Sequence, residues 1–183
     1  MRVIRGDLPK GVFYHGIYYP IKTDFRVWLS VCELLESEDM AHAIERAPDL
    51  CYINKRPPSS RAAFLALMDF FLLGEKPNKE NIKGEKLFSF SEDEELIYAS
   101  FLKEYGIDLS KEELHWWRFV ALVRCLGPDT PLSRVMSIRM TKPSDIKNPK
   151  ERRHLIRQKR LFALSKKDID VSDVLSELFM VKE

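Results

Sequence analysis

The chain's 183 residues, 45% hydrophobic and 11% aromatic, are enough to bury a core and exclude a wholly disordered polypeptide. Thirty Lys and Arg stand against 28 Asp and Glu, so the net charge of +2 excludes a general affinity for polyanions, although the basic excess is gathered late in the chain. Cys32, Cys51 and Cys125 form no CxxC pair and leave one cysteine over, which fits a reducing compartment better than a disulfide scaffold. No apolar leader follows Met1, and the longest apolar run, Ala62 to Leu73, is broken by Asp69 and too short for a membrane span.

The first twenty residues predict a hairpin over 11–20. Val12, Phe13 and Tyr14 face Ile17, Tyr18 and Tyr19 across His15-Gly16, where glycine supplies positive φ. Thr23 or Asp24 should cap a helix whose stripe is Phe25, Trp28, Leu29, Cys32 and Leu35. A polar, moderately helical segment follows from Glu36 to Ala47. Pro48 and Arg56-Pro57-Pro58 then bracket an expected loop from Asp49 to Lys55. Ser59 or Ser60 caps RAAFLALMDFFLLG, apolar nearly all round and stopped by Gly74, and the polar residues 75–86 read as a surface loop.

Ser91 and Glu94 form a capping-box pattern before a helix carrying Leu96, Ile97, Ser100, Phe101 and Tyr105, which Gly106 ends. A second box, Ser110 with Glu113, is expected to open the central helix HWWRFVALVRCLG, closed by Gly127. That helix is apolar around most of its circumference, so Trp117, Phe119 and Leu122 are expected to share a core with the 64–72 helix. The successive indoles of Trp116 and Trp117 should face different neighbours. Thr130-Pro131 opens a further helix with Leu132, Val135, Met136 and Ile138. Beyond Met140 the chain turns basic. Asn148-Pro149 opens a helix with a thin apolar stripe (Leu155, Ile156, Phe162, Leu164), and Ser172 caps a short amphipathic end.

These patterns predict a mainly α, single-domain helical bundle with a short N-terminal β-hairpin. The domain covers 1–167, with the hairpin at 11–20, the helical core at 59–140 and the basic helix at 148–163. Residues 168–183 form a short C-terminal amphipathic extension.

No phosphate-binding glycine loop, zinc-protease motif or nucleophile elbow occurs. His15, His42, His115 and His154 are scattered over separate elements, and the acidic run Glu92 to Glu95 reads as complement to a helix dipole. Hence no catalytic, cofactor-binding or metal residue is expected, and no enzyme. The basic segment 142–167 alone has a functional reading. Arg152, Arg153, Arg157 and Arg160 share part of one helical face. With only Phe162 nearby for base stacking, their expected partner is an acidic protein surface rather than nucleic acid.

The stretches FSFSEDEELIYASFLKEYGIDL, LHWWRFVALVRCLGPDTPLSRVMSIR and KRLFAL, preceded by YPIKTDFRVWL and FFLLG, resemble the bacteriophage gene-product-fifteen family. Its members are tail-assembly-region proteins of phages and prophages of Gram-positive bacteria, and the similarity is strongest from Phe88 to Arg139. The resemblance implies a non-enzymatic tail-assembly chaperone in the bacterial host cytoplasm, binding the tail tape-measure protein during tail morphogenesis. A homo-oligomer and the tail-tube protein are further implied partners; cofactor and membrane are not. A structural virion or tail component, and a nucleic-acid binder using 142–167, are the alternatives.

Overall fold

A computed structural model describes residues 7–36, 39–74 and 87–165. Among them are seven α-helices and one two-stranded antiparallel sheet, so the fold is mainly α with an N-terminal hairpin, as the sequence predicts. Strands β1 (Gly11–Tyr14) and β2 (Ile17–Pro20) pair Val12 with Tyr19 and Phe13 with Tyr18. At the turn His15 has φ 47° and Gly16 φ 76°, the doubly left-handed geometry that matches strand twist. The pleat sends Val12 and Tyr19 inward and leaves Phe13 and Tyr18 outside.

The described residues group into two compact units. The first comprises those up to Gly74 together with 113–121; the second comprises 87–112 and 122–165. The expected loop at 75–86, the Ser172 cap and the 168–183 extension lie outside the described residues.

In the first unit the extended stretch from Ile21 to Asp24 is hydrogen-bonded on both sides. Lys22 N donates to Cys51 O at 2.8 Å, Phe25 N to Leu114 O at 2.9 Å, and Trp116 N to Thr23 O at 2.7 Å. Asp24 opens α1 (Phe25–Glu36) by accepting from Arg26 N at 3.0 Å, and the helix buries Phe25, Trp28, Val31, Cys32 and Leu35. The next helix, α2 (Met40–Cys51), corrects the expected break at Pro48. Proline there removes only one amide donor near the helix end, while Ala43, Ala47, Pro48 and Cys51 form one continuous buried face. Ser59 caps α3 (Ser60–Phe71) by accepting from Ala62 N at 3.2 Å. Its buried residues include Phe64, Leu67, Met68 and Phe70.

The central helix, α5, spans Trp116–Arg124 and is shorter than its pattern suggests. The Ser110 box does not form, because Ser110 N and Oγ turn instead to Asp108 Oδ1 at 3.1 and 2.6 Å. His115 supplies the cap, its Nδ1 accepting from Trp117 N at 3.0 Å while its Nε2 donates to Pro9 O at 3.0 Å. Gly127 does not take the left-handed conformation. Its missing side chain makes room for Glu104, whose Oε1 lies 2.9 Å from where a Cβ would stand.

The expectation about the paired indoles is also corrected. Trp116 Nε1 donates to Phe71 O at 3.1 Å and Trp117 Nε1 to Phe70 O at 2.9 Å, so both reach the end of α3. They are the first two residues of α5, and their N–H groups add donors to carbonyls at a helix C-terminus, where Phe70 O also accepts from Leu73 N at 3.0 Å. Trp116, only 2% exposed, stacks on Phe71 and Phe119, and Phe119 stacks on Phe25. Trp117 is half-buried, as is Leu122, which belongs to the second unit. Trp116 and Phe119 are therefore the core residues of α5; Trp117 and Leu122 are not.

In the second unit, α4 (Glu94–Tyr105) ends at Gly106 with φ 65°, as predicted. Thr130 caps α6 (Pro131–Met140), which packs on α4 and on α7 (Pro149–Leu161). Ser100 ties the first pair, accepting from Leu132 N at 3.0 Å. The Ser91 box does not form, because Asp93 occupies the N-cap position and its carboxylate is engaged elsewhere. Arg139 Nη1 and Nη2 clasp Asp93 Oδ2 and Oδ1 at 2.6 and 2.8 Å. The guanidinium also donates to Leu87 O at 2.9 Å and Phe162 O at 2.7 Å.

Two outcomes follow from these contacts. The Arg139 and Asp93 side chains are 10% and 3% exposed, so Arg139→Met strands a buried carboxylate. A loss of about 3–5 kcal/mol is expected, a large part of a typical stability of about 5–15 kcal/mol. Urea unfolding of the variant measures it. Burial, chiefly, holds the His115 pKa below its ordinary value, with Arg118 adding to the shift and the Pro9 contact opposing it. The unfolded chain therefore binds the proton more readily than the folded one. Stability from this group is complete above about pH 6.5 and falls as pH drops below it. His115→Asn keeps a cap acceptor and should flatten that part of the stability–pH curve.

Candidate partner-binding surfaces

Asn148 opens α7 by accepting from Lys150 N at 2.9 Å, with Pro149 in the first turn. Leu155 is the residue the helix buries, and it fixes which side faces out. At 3.6 residues per turn, Arg153, Arg157 and Arg160 fall within roughly 60° of one another, opposite Leu155. All three are exposed, as is Arg152. The structure thus brings three of the four predicted arginines onto one face.

Arg152 is turned back on the chain, its Nε donating to Ile146 O at 3.1 Å and Nη2 to Lys147 O at 3.5 Å. Arg153 Nε donates to Pro149 O at 3.2 Å, one turn back. Arg157 and Arg160 have no ion-pair partner among the described residues. Lys150, exposed beside them, and Leu161, 75% exposed, complete a basic face with an apolar end.

A second surface is the outer side of the hairpin. Phe13 is 69% exposed, and Ile17 and Tyr18 are also exposed. The Phe13 and Tyr18 rings lie 5.3 Å apart as a cross-strand pair. Sequence reading found the hairpin but did not single out this face. The available signal was apolar residues at both parities of strands only four residues long.

The third surface lies on α4, where Glu94, Glu95, Tyr98 and Leu102 are all exposed. Glu94 and Glu95 occupy the first turn, as a dipole complement should. Their neighbours in the acidic run have other work. Asp93 is buried against Arg139, and Glu92 Oε2 accepts from Ser165 N and Oγ at 2.9 and 3.0 Å.

Among the described residues, no group of three or more His, Cys, Asp or Glu is placed to hold a metal ion. Cys32 and Cys51 are buried, and burial pushes the Cys51 thiol up to about 12. Cys125, by contrast, is exposed. No helix among the described residues is long and apolar enough to cross a membrane.

These features define a mainly α protein that presents an apolar hairpin face and a basic helical face to its surroundings. The chain belongs to a bacteriophage family, described as Bacteriophage Gp15 protein, which it matches over residues 4–164. No curated protein and no solved structure matches it.

The arginines should separate by alanine substitution. Arg152→Ala removes the donor to Ile146 O and is expected to cost about 1 kcal/mol. Arg157→Ala and Arg160→Ala should stay within about 0.5 kcal/mol of the parent. Thermal and urea unfolding of the three variants side by side checks this ordering.

Proposed function

We propose that this phage protein is a non-enzymatic tail-assembly chaperone, acting in the host cytoplasm on the tail tape-measure protein before the tube closes around it. Membership of the phage family supplies the setting. The observation that carries the reading is the exposed Phe13–Tyr18 pair on the two-stranded sheet. Such a face, with Ile17 beside it, suits an apolar stripe on a long client chain. The exposed arginines of α7 suit acidic residues on the same class of partner. No turnover, metal or cofactor enters this role.

Co-expression with the tape-measure protein, followed by affinity purification of that protein, tests the proposal. The chain is expected to co-purify, and Phe13→Ser with Tyr18→Ser to reduce recovery by about ten-fold, a loss near 1.4 kcal/mol. Recovery unchanged by the hairpin variant would remove the observation on which the reading stands. Salt-sensitive duplex binding, abolished by Arg153→Glu with Arg157→Glu, would favour nucleic acid instead.

A further inference from the structure

The exposed faces of α4 and α7 are complementary in charge and similar in build. On α4, Glu94, Glu95, Tyr98 and Leu102 lie within roughly 100° of arc. That face carries two carboxylates beside an aromatic and an aliphatic side chain, all exposed. On α7, Arg153, Arg157 and Arg160 stand beside the exposed Leu161. Among the described residues neither face is neutralised: Glu94, Glu95, Arg157 and Arg160 have no ion-pair partner there. Both faces belong to the same compact unit, with α6 in contact with both helices.

We propose that the acidic occupant of the α7 arginine face is the α4 face of a second copy of this chain. Two different patches then meet, so the contact is heterologous and joins copies head to tail, closing a ring or continuing as a filament. Pairing α7 with α7 would oppose arginine to arginine, and α4 with α4 glutamate to glutamate; charge selects the mixed pairing. Tyr98 and Leu102 against Leu161 supply the apolar contact, and the charges set register and approach. The inference deepens the basic-face part of the reading above. It does not involve the hairpin, so it is tested on the isolated chain with no client present.

The experiment is sedimentation of the full chain over a concentration series at about 0.05 and 0.5 M salt, where screening lengths differ severalfold. The parent is expected to self-associate, more weakly at high salt. Arg153→Glu with Arg157→Glu, and separately Glu94→Lys with Glu95→Lys, should each raise the dissociation constant by about ten-fold or more. Because lysine at a helix N-terminus also disfavours the helix, circular dichroism accompanies each variant. The deciding sample is the equimolar mixture of the two variants. Each now offers the face the other lacks, so association should return in the mixture while each alone stays dissociated. A parent that remains monomeric throughout, or variants that associate as the parent does, overturns the proposal. So does a mixture of folded variants that fails to reassociate.

Discussion

The second unit depends on one buried guanidinium. Four N–H groups of Arg139 are spent on Asp93 Oδ1 and Oδ2, Leu87 O and Phe162 O. These acceptors belong to the start of α4, the segment before it and the residue that ends α7. Lys159 adds a return contact, donating to the carbonyls of Arg139 and Thr141. Desolvating such a pair costs about as much as the attraction returns, so its worth lies in position more than in net stability. A hydrophobic pair of equal volume could fill the space. It would not specify that α4 begins and α7 ends at the same guanidinium, and the register of both exposed faces follows from that.

The first unit solves a similar problem with aromatic donors. The C-terminal carbonyls of α3 need partners, and the chain there continues through Leu73 and Gly74 with φ 61° and 70°. The indole N–H groups of Trp116 and Trp117 arrive from far along the sequence to accept that role. His115 makes the arrival possible, since its ring both caps α5 and holds the Pro9 carbonyl. The HWW stretch is thus a set of three ring donors and acceptors, and only Trp116 is also deeply buried. Apolar content alone gives a different picture, because a tryptophan at a helix start is ruled by where its N–H goes.

Local chemistry made much of the fold legible. The hairpin register, Ser59 and Thr130 as caps, Gly106 as a helix end and Asn148-Pro149 as an opening all rest on contacts within a few residues. What failed were single-motif rules overridden by other contacts. Ser91 and Glu94 fit a capping box, but Asp93 between them is claimed by Arg139, 46 residues away. Ser110 and Glu113 fit another, and Asp108 captured the serine. Pro48 stayed helical because a buried face outweighed one missing donor. Of the candidate surface, the arginine spacing was readable from the 3.6-residue period. The α4 stripe was not, because exposure of Tyr98 and Leu102 depends on which face α6 covers.

The hairpin bears on function through what it lacks. Short two-stranded sheets usually guard their outer faces and edges with lysine, other charges or proline. From Gly11 to Pro20 there is no Lys, Arg, Asp or Glu, and the single proline ends β2. A face carrying Phe13 and Tyr18 in water carries a cost that packing elsewhere must offset. Inside the molecule the same strands place Val12 and Tyr19 in the core, so the alternation is complete without apolar residues outside. Stability therefore does not explain the outer pair. The proposed client contact rests on this uncovered pair.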